Sequence, residues 1–84
     1  MTFTIELSKH AEDFLRKRPK KDQEVLLKRI YALREHPYPH LKRLQGSKLW
    51  RLRVMDYRVI IDIIIKANTI YIVRIGLREN VYDR

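Results

Sequence analysis

Three arginines share one side of a predicted β-hairpin, and their spacing suits phosphate chemistry. The hairpin sequence is LWRLRVMDYRVII, residues 49–61. A two-residue turn at positions 55 and 56 places Arg53 directly opposite Arg58 and leaves Arg51 on the same face. Like charges that face each other across two strands destabilise a sheet. Because guanidinium groups bind phosphate oxygens bidentately, a phosphate-bearing ligand would supply the missing counter-charge.

The other face of the same hairpin is wholly apolar. The predicted register pairs Val54 with Tyr57, and it continues with Leu52 opposite Val59. The side chains on that face are Trp50, Leu52, Val54, Tyr57, Val59 and Ile61. A slip of one residue would bury the arginines, so the register is strongly specified. The apolar face requires a cover, and the arginine face is left toward solvent.

Other familiar catalytic arrangements are missing from the sequence. The histidines have no partner at metal-ligand spacing: His10, His36 and His40. With Gly46 and Gly76 as the two glycines, there is neither a glycine-framed serine nor a phosphate-cradling loop. Asp56 and Asp62 fall in a turn and in mid-strand, which does not suit a carboxylate pair. We therefore expect no metal and no cofactor.

The charge balance favours an anionic partner. The net charge is +9 and the pI is near 10.2. Residues 1–40 carry nine Lys/Arg and six Asp/Glu, and residues 41–84 carry ten and four, so the excess lies in the second half. Such a chain suits nucleic acid, an acidic protein or an anionic membrane surface. The absence of cysteine fits a reducing cytoplasm. The longest apolar run, VIIDIII, is too short to span a membrane.

The pattern predicts one α+β domain, residues 1–84, with the order β-α-α-β-β-β and a short C-terminal tail. TFTIEL alternates as a half-buried strand, and Ser8 is a predicted N-cap for a helix ending near Lys17. A second helix starts at about residue 19 or 20 and carries the apolar stripe Leu26, Ile30 and Leu33. The segment LKRLQGSK is predicted to be a basic loop. Strands at 49–54, 57–66 and 69–75 then form an antiparallel meander, with the two N-terminal helices packed on one face of this small antiparallel sheet.

The last strand decides whether further cations join the arginine face. A two-residue turn at positions 67–68 puts Arg74 in the core, whereas a three-residue turn, which we favour, places it beside Arg58. In either case the meander brings Gly76 close to Arg58. Arg78 and Tyr82, which follow in GLRENVY, can then reach the same face. A tyrosine there could stack on a base or exchange a proton.

The stretches LKRLQG, LWRLRVMDYRVIIDI and TIYIVRIGLRENVY resemble the RelE family of the RelE/ParE toxin superfamily. The likeness extends over nearly the whole chain and includes the element order. It implies the RelE-like microbial RNase fold and an endoribonuclease that cuts mRNA in the ribosomal A site. It also implies a RelB-like antitoxin as partner, the ribosome and mRNA as targets, and a cytoplasmic location without membrane contact.

The resemblance also implies roles for individual residues. Arg58 matches the family's phosphate-stabilising arginine, and Arg78 and Tyr82 match its C-terminal catalytic arginine and tyrosine. Arg51 and Arg53 stand where well-studied members have lysines, so proton donation is weakened there. A histidine that many members carry is replaced by Leu77. RNA binding is expected from Arg51, Arg53, Lys42, Arg43 and Lys48.

Two other functions remain open from sequence. A ParE-like inhibitor of DNA gyrase would share the fold without being a nuclease. A relative that binds RNA or the ribosome without catalysis would show salt-dependent binding and no cleavage.

Overall fold

The computed structural model of the protein describes residues 2–77, which form two helices and five strands. The helices are α1 (Lys9–Arg16) and α2 (Lys20–Tyr31), and short 3-10 turns follow at Ala32–Arg34 and Tyr38–His40. The strands are β1 (Thr4–Leu7), β2 (Lys42–Arg43), β3 (Trp50–Val54), β4 (Tyr57–Ile64) and β5 (Thr69–Leu77). The α+β class and the predicted order are confirmed, with β2 as an addition inside the predicted basic loop.

The helix boundaries follow from local chemistry. The hydroxyl of Ser8 accepts a hydrogen bond from the Ala11 amide at 3.0 Å, which caps α1 as predicted. The same hydroxyl donates to the Val73 carbonyl at 2.7 Å and so attaches the start of α1 to β5. Pro19 sits at the N-cap of α2, where its missing amide proton leaves no helical hydrogen bond unmade.

The sheet has the strand order β1-β5-β4-β3-β2. The three long strands form the predicted antiparallel meander, and β3 pairs with β4 in the predicted register: Val54 with Tyr57 and Arg53 with Arg58. The sheet is mixed rather than fully antiparallel, because β1 lies parallel to β5. The path through both helices returns the chain to the same end of the sheet, and a parallel neighbour follows from that path.

The core lies between the helices and the predicted apolar face of the hairpin. Leu26, Ile30 and Leu33 are buried against Leu52 and Val54, so the expected cover is confirmed. None of the helices within residues 2–77 combines the length and the apolar character needed to cross a bilayer.

A β-bulge sets the orientation of β5. The pairing shifts between Ile60 and Ile61, so that Ile61 faces Ile72 while Ile60 faces Arg74. Val73 is the extra residue, and Arg74 is exposed on the arginine face. The favoured placement of Arg74 is confirmed, although a four-residue connection and a bulge produce it instead of a three-residue turn. Arg74 pairs with Ile60 on β4, whereas Gly76 is the residue that pairs with Arg58.

Candidate nucleic-acid interface

Five cations from four strands lie on the face of the sheet opposite the helices. The strand pairing places them in two rows. One row joins Lys42, Arg51 and Arg74 through Ile60, and the other joins Arg53 and Arg58 with Gly76. We call this set the cationic face: Lys42, Arg51, Arg53, Arg58 and Arg74. Neighbouring strands are about 4.8 Å apart, so adjacent members can contact one ligand together.

Arg58 occupies the middle of the cationic face. Its side chain is half-buried and its Nε atom is shielded from solvent. On one side stands exposed Arg53, and on the other Gly76, which contributes no side chain. Arg53 is therefore the member of this row that is most open to an approaching ligand.

The hairpin that carries Arg53 and Arg58 is anchored to the helices. The Tyr57 hydroxyl donates to Oδ2 of Asp22 in α2 at 2.6 Å. This hydrogen bond, together with burial, raises the pKa of Tyr57 above its usual value. Arg29 of α2 also donates to the Arg53 carbonyl, at 3.4 Å. Both contacts fix the backbone from which the two arginines project.

A small apolar cluster covers part of the sheet face that carries the cations. Leu44 and Ile60 are buried there, with Leu49 and Val73 packed around them. The expectation that this face is left toward solvent is therefore wrong around Ile60, which lies between Arg51 and Arg74. Leu44 folds the loop over the sheet, and its amide donates to the Leu49 carbonyl at 3.0 Å. The apolar cluster therefore leaves Arg53, next to the hairpin turn, more open to solvent than the part of the face around Ile60.

Two of the predicted RNA-binding residues lie away from the cationic face. Arg43 pairs in register with Trp50 on the helix side of the sheet, and its guanidinium lies 4.9 Å from the Trp50 ring centroid. Arg43 also donates to the Ser47 carbonyl at 3.2 Å. Lys48 forms an ion pair with Asp62 at 3.5 Å, beyond the apolar cluster. Side chains alternate along a strand, so the adjacent residues Lys42 and Arg43 cannot share one face.

A cleft of about 350 Å³ opens at the edge of the cationic face. The six residues that line it, all within 2–77, include three cations and a histidine but no carboxylate: Pro39, His40, Leu41, Lys42, Arg51 and Arg53. Sequence reasoning did not include His40 in the site, and it placed Arg74 on the arginine face without naming it among the RNA-binding residues. The position of His40 depends on the pairing of β2 with β3, which a two-residue strand does not reveal by its pattern.

Arg78 and Tyr82 lie outside the described residues. The described chain holds no group of three His, Cys, Asp or Glu side chains that could bind a metal ion. The cationic face thus offers guanidinium groups and one ammonium group, and the cleft at its edge adds one imidazole, which is chemistry suited to anions.

Comparison with known proteins places this geometry among toxins of bacteria and archaea. A family model described as the ParE toxin of the type II toxin–antitoxin system, parDE, matches residues 5–82. A search of curated proteins found no match.

Several solved structures share the fold. The RelE–RelB complex of Pyrococcus horikoshii has 27% identity and a TM-score of 0.82, with 96% of this chain and 100% of that chain covered. The RelBE2 toxin–antitoxin complex of Mycobacterium tuberculosis has 21% identity, coverages of 93% and 100%, and a TM-score of 0.85. The isolated RelE toxin of E. coli has 18% identity, coverages of 94% and 87%, and a TM-score of 0.82.

Proposed function

The chain belongs to the RelE/ParE family of toxins of type II toxin–antitoxin systems, and we propose that it is an endoribonuclease that cuts mRNA in the ribosomal A site. The observation that carries the proposal is the pair Arg53 and Arg58, opposed across two strands at the centre of the cationic face. Guanidinium groups bind phosphate oxygens bidentately, so two of them side by side suit an RNA phosphate during the reaction.

The proposed reaction is attack by an RNA 2′-oxygen on the adjacent phosphorus, with departure of the 5′-oxygen. The nucleophile belongs to the substrate, so the protein must orient it and stabilise the negative charge that develops on the phosphate. Arg58 and Arg53 bind the non-bridging oxygens, and these bonds strengthen as the charge grows. Lys42 and Arg51 hold the neighbouring backbone. Arg78 and Tyr82 are proposed to complete the site, as the family resemblance implies. The reaction needs no metal.

The proposal includes an antitoxin and a location. A RelB-like antitoxin with an acidic or amphipathic segment would suit a surface with this charge. The Pyrococcus and Mycobacterium structures are toxin–antitoxin complexes. The ribosome and mRNA would be met in the cytoplasm, where the antitoxin holds the toxin inactive.

One rival has a specific observation in its favour, because the matching family model is described as a ParE toxin. A ParE-like protein would inhibit DNA gyrase and leave mRNA intact. A supercoiling assay with purified gyrase separates the two functions. We expect unchanged supercoiling at toxin concentrations that cut ribosome-bound mRNA.

The test of the proposal is cleavage of mRNA on programmed ribosomes by wild type and by Arg58→Ala. We expect the variant to lose at least 10²-fold in single-turnover rate, a typical cost for one group that stabilises transition-state charge. Arg16→Ala is the matched control, because Arg16 is an exposed arginine on α1 that pairs with Glu12 at 3.8 Å, away from the cationic face. Equal cutting by Arg58→Ala and wild type would contradict the assignment. Salt-dependent RNA binding by wild type without any cleavage would identify a non-catalytic relative.

A further inference from the structure

We propose that His40 is the general base that removes the 2′-hydroxyl proton in this cleavage. The inference rests on the proposed function and adds a group that the cationic face lacks. Arginine stays protonated in proteins, and a lysine ammonium has no acceptor atom, so neither can take a proton at neutral pH. Histidine is the side chain whose charge ordinarily changes between pH 5 and 8, and its neutral ring offers an acceptor nitrogen.

The cleft at the edge of the cationic face brings His40 near the proposed phosphate site. Lys42 pairs with Arg51 and Arg43 with Trp50 in an antiparallel ladder. His40 ends the 3-10 turn that leads into this ladder, and it lines the same cleft as Lys42, Arg51 and Arg53. Arg53 is opposite Arg58 on the neighbouring strand. The cleft therefore joins the imidazole to the arginine that stands beside Arg58.

A phosphate held between Arg53 and Arg58 puts the ribose that precedes it on the His40 side or on the Gly76 side. The cleft of about 350 Å³ beside His40 provides room for a ribose. The charged groups that line the cleft with His40 are Lys42 from β2 and Arg51 and Arg53 from β3. All three can bind phosphate oxygens, which leaves the imidazole to handle the proton.

The backbone around His40 is already fixed. His40 ends a 3-10 turn that has prolines at positions 37 and 39. Its amide donates to the Pro37 carbonyl at 3.1 Å, and the next amide, that of Leu41, donates to the Tyr38 carbonyl at 3.1 Å. The imidazole itself is exposed. Substrate binding therefore has to order the imidazole side chain but not the backbone that carries it.

The step balances with the substrate and water alone. The 2′-oxygen gives its proton to the imidazole and forms a bond to phosphorus, and the bond from phosphorus to the 5′-oxygen breaks. The 5′-oxygen takes a proton from solvent, and His40 returns its own proton to solvent afterwards. The products are a 2′,3′-cyclic phosphate and a 5′-hydroxyl end.

The experiment measures single-turnover cleavage on programmed ribosomes from pH 5.5 to 8 with saturating wild type, His40→Ala and His36→Ala. His36 is the matched control, since it is an exposed histidine four residues earlier that does not line the cleft. We expect His40→Ala to lose 10²- to 10⁴-fold in rate at pH 7.5, the usual contribution of a general base. The wild-type and His36→Ala rates should rise with pH across the histidine range, and the His40→Ala rate should lack that rise.

Two results would overturn the inference. Cleavage by His40→Ala at the wild-type rate would show that the imidazole is not needed. A slower His40→Ala that keeps the wild-type pH profile would mean that His40 contributes binding and not proton transfer. Wild type that fails to cleave under all conditions would instead refute the proposed function itself. Because His40 is exposed, unfolding temperatures of the three proteins should agree, which confirms that the comparison is between folded proteins.

Discussion

Reversing one charge of the opposed arginine pair should stabilise the protein. Two unit charges about 6 Å apart in water repel by about 0.7 kcal/mol. Arg53→Glu turns this repulsion with Arg58 into attraction, a change of about 1.4 kcal/mol, of which about half survives physiological salt. Arg53 is the suitable partner to change, because it is exposed whereas Arg58 is half-buried. For a domain of this size, a gain of about 0.7 kcal/mol raises the unfolding temperature by about 3–6 °C.

The assay is thermal unfolding at 20 mM and at 1 M NaCl, with Lys66→Glu as the control. Lys66 is exposed in the connection between β4 and β5, and its reversal changes the net charge by the same amount. The gain of Arg53→Glu should exceed that of Lys66→Glu at low salt and shrink at high salt. An unchanged or lower unfolding temperature at low salt would refute the reasoning. A gain that is the same at both salt concentrations would refute it as well, because an electrostatic effect must be screened.

The same variant should lose function. Arg53→Glu removes one phosphate contact and adds a repulsive charge, so its affinity for single-stranded RNA should fall and depend less steeply on salt. A more stable protein that binds RNA more weakly is the expected signature of residues retained for a ligand.

Two further predictions concern stability. Tyr57→Phe should lower the free energy of unfolding by about 1–2 kcal/mol, because a buried hydrogen bond to the Asp22 carboxylate is lost. The pKa of Tyr57 is raised above 10 in the folded state, so the free energy of unfolding of the wild type should fall as pH increases above 10. Denaturant titrations of Tyr57→Phe should show a smaller fall over the same pH range. Met55→Gly should raise the free energy of unfolding by about 0.5–1 kcal/mol, since Met55 has a φ of 53° in the hairpin turn; equal or lower stability in urea would contradict this explanation.

The hairpin could be predicted from sequence because two local signals agree. Alternation with period two assigns Leu52 and Val54 to the core, and a two-residue turn then fixes Arg53 opposite Arg58. Helix ends were equally predictable, since Ser8 and Pro19 act on their immediate neighbours. These features depend on contacts between residues that are close in sequence, so the local pattern of residue types is enough to predict them.

Long-range contacts account for what sequence reasoning missed. The parallel pairing of β1 with β5 joins residues 65 positions apart, such as Thr4 and Thr69. β2 has two residues, too few for an alternation pattern, and its pairing alone brings His40 to the site. The bulge in β5 does have a signal, because buried Ile70 and Ile72 are followed by Ile75, a spacing of three. That break in the alternation marks Val73 as the extra residue.

The most direct test of the account is cleavage of a message that carries a single 2′-deoxynucleotide. Wild-type protein is mixed with programmed ribosomes and a message in which the nucleotide on the 5′ side of the mapped cut is 2′-deoxy. The account predicts that this message stays intact, while the all-ribose message is cut to a fragment that ends in a 2′,3′-cyclic phosphate. Equal cutting of both messages would contradict it, because the attacking oxygen would then not come from the RNA.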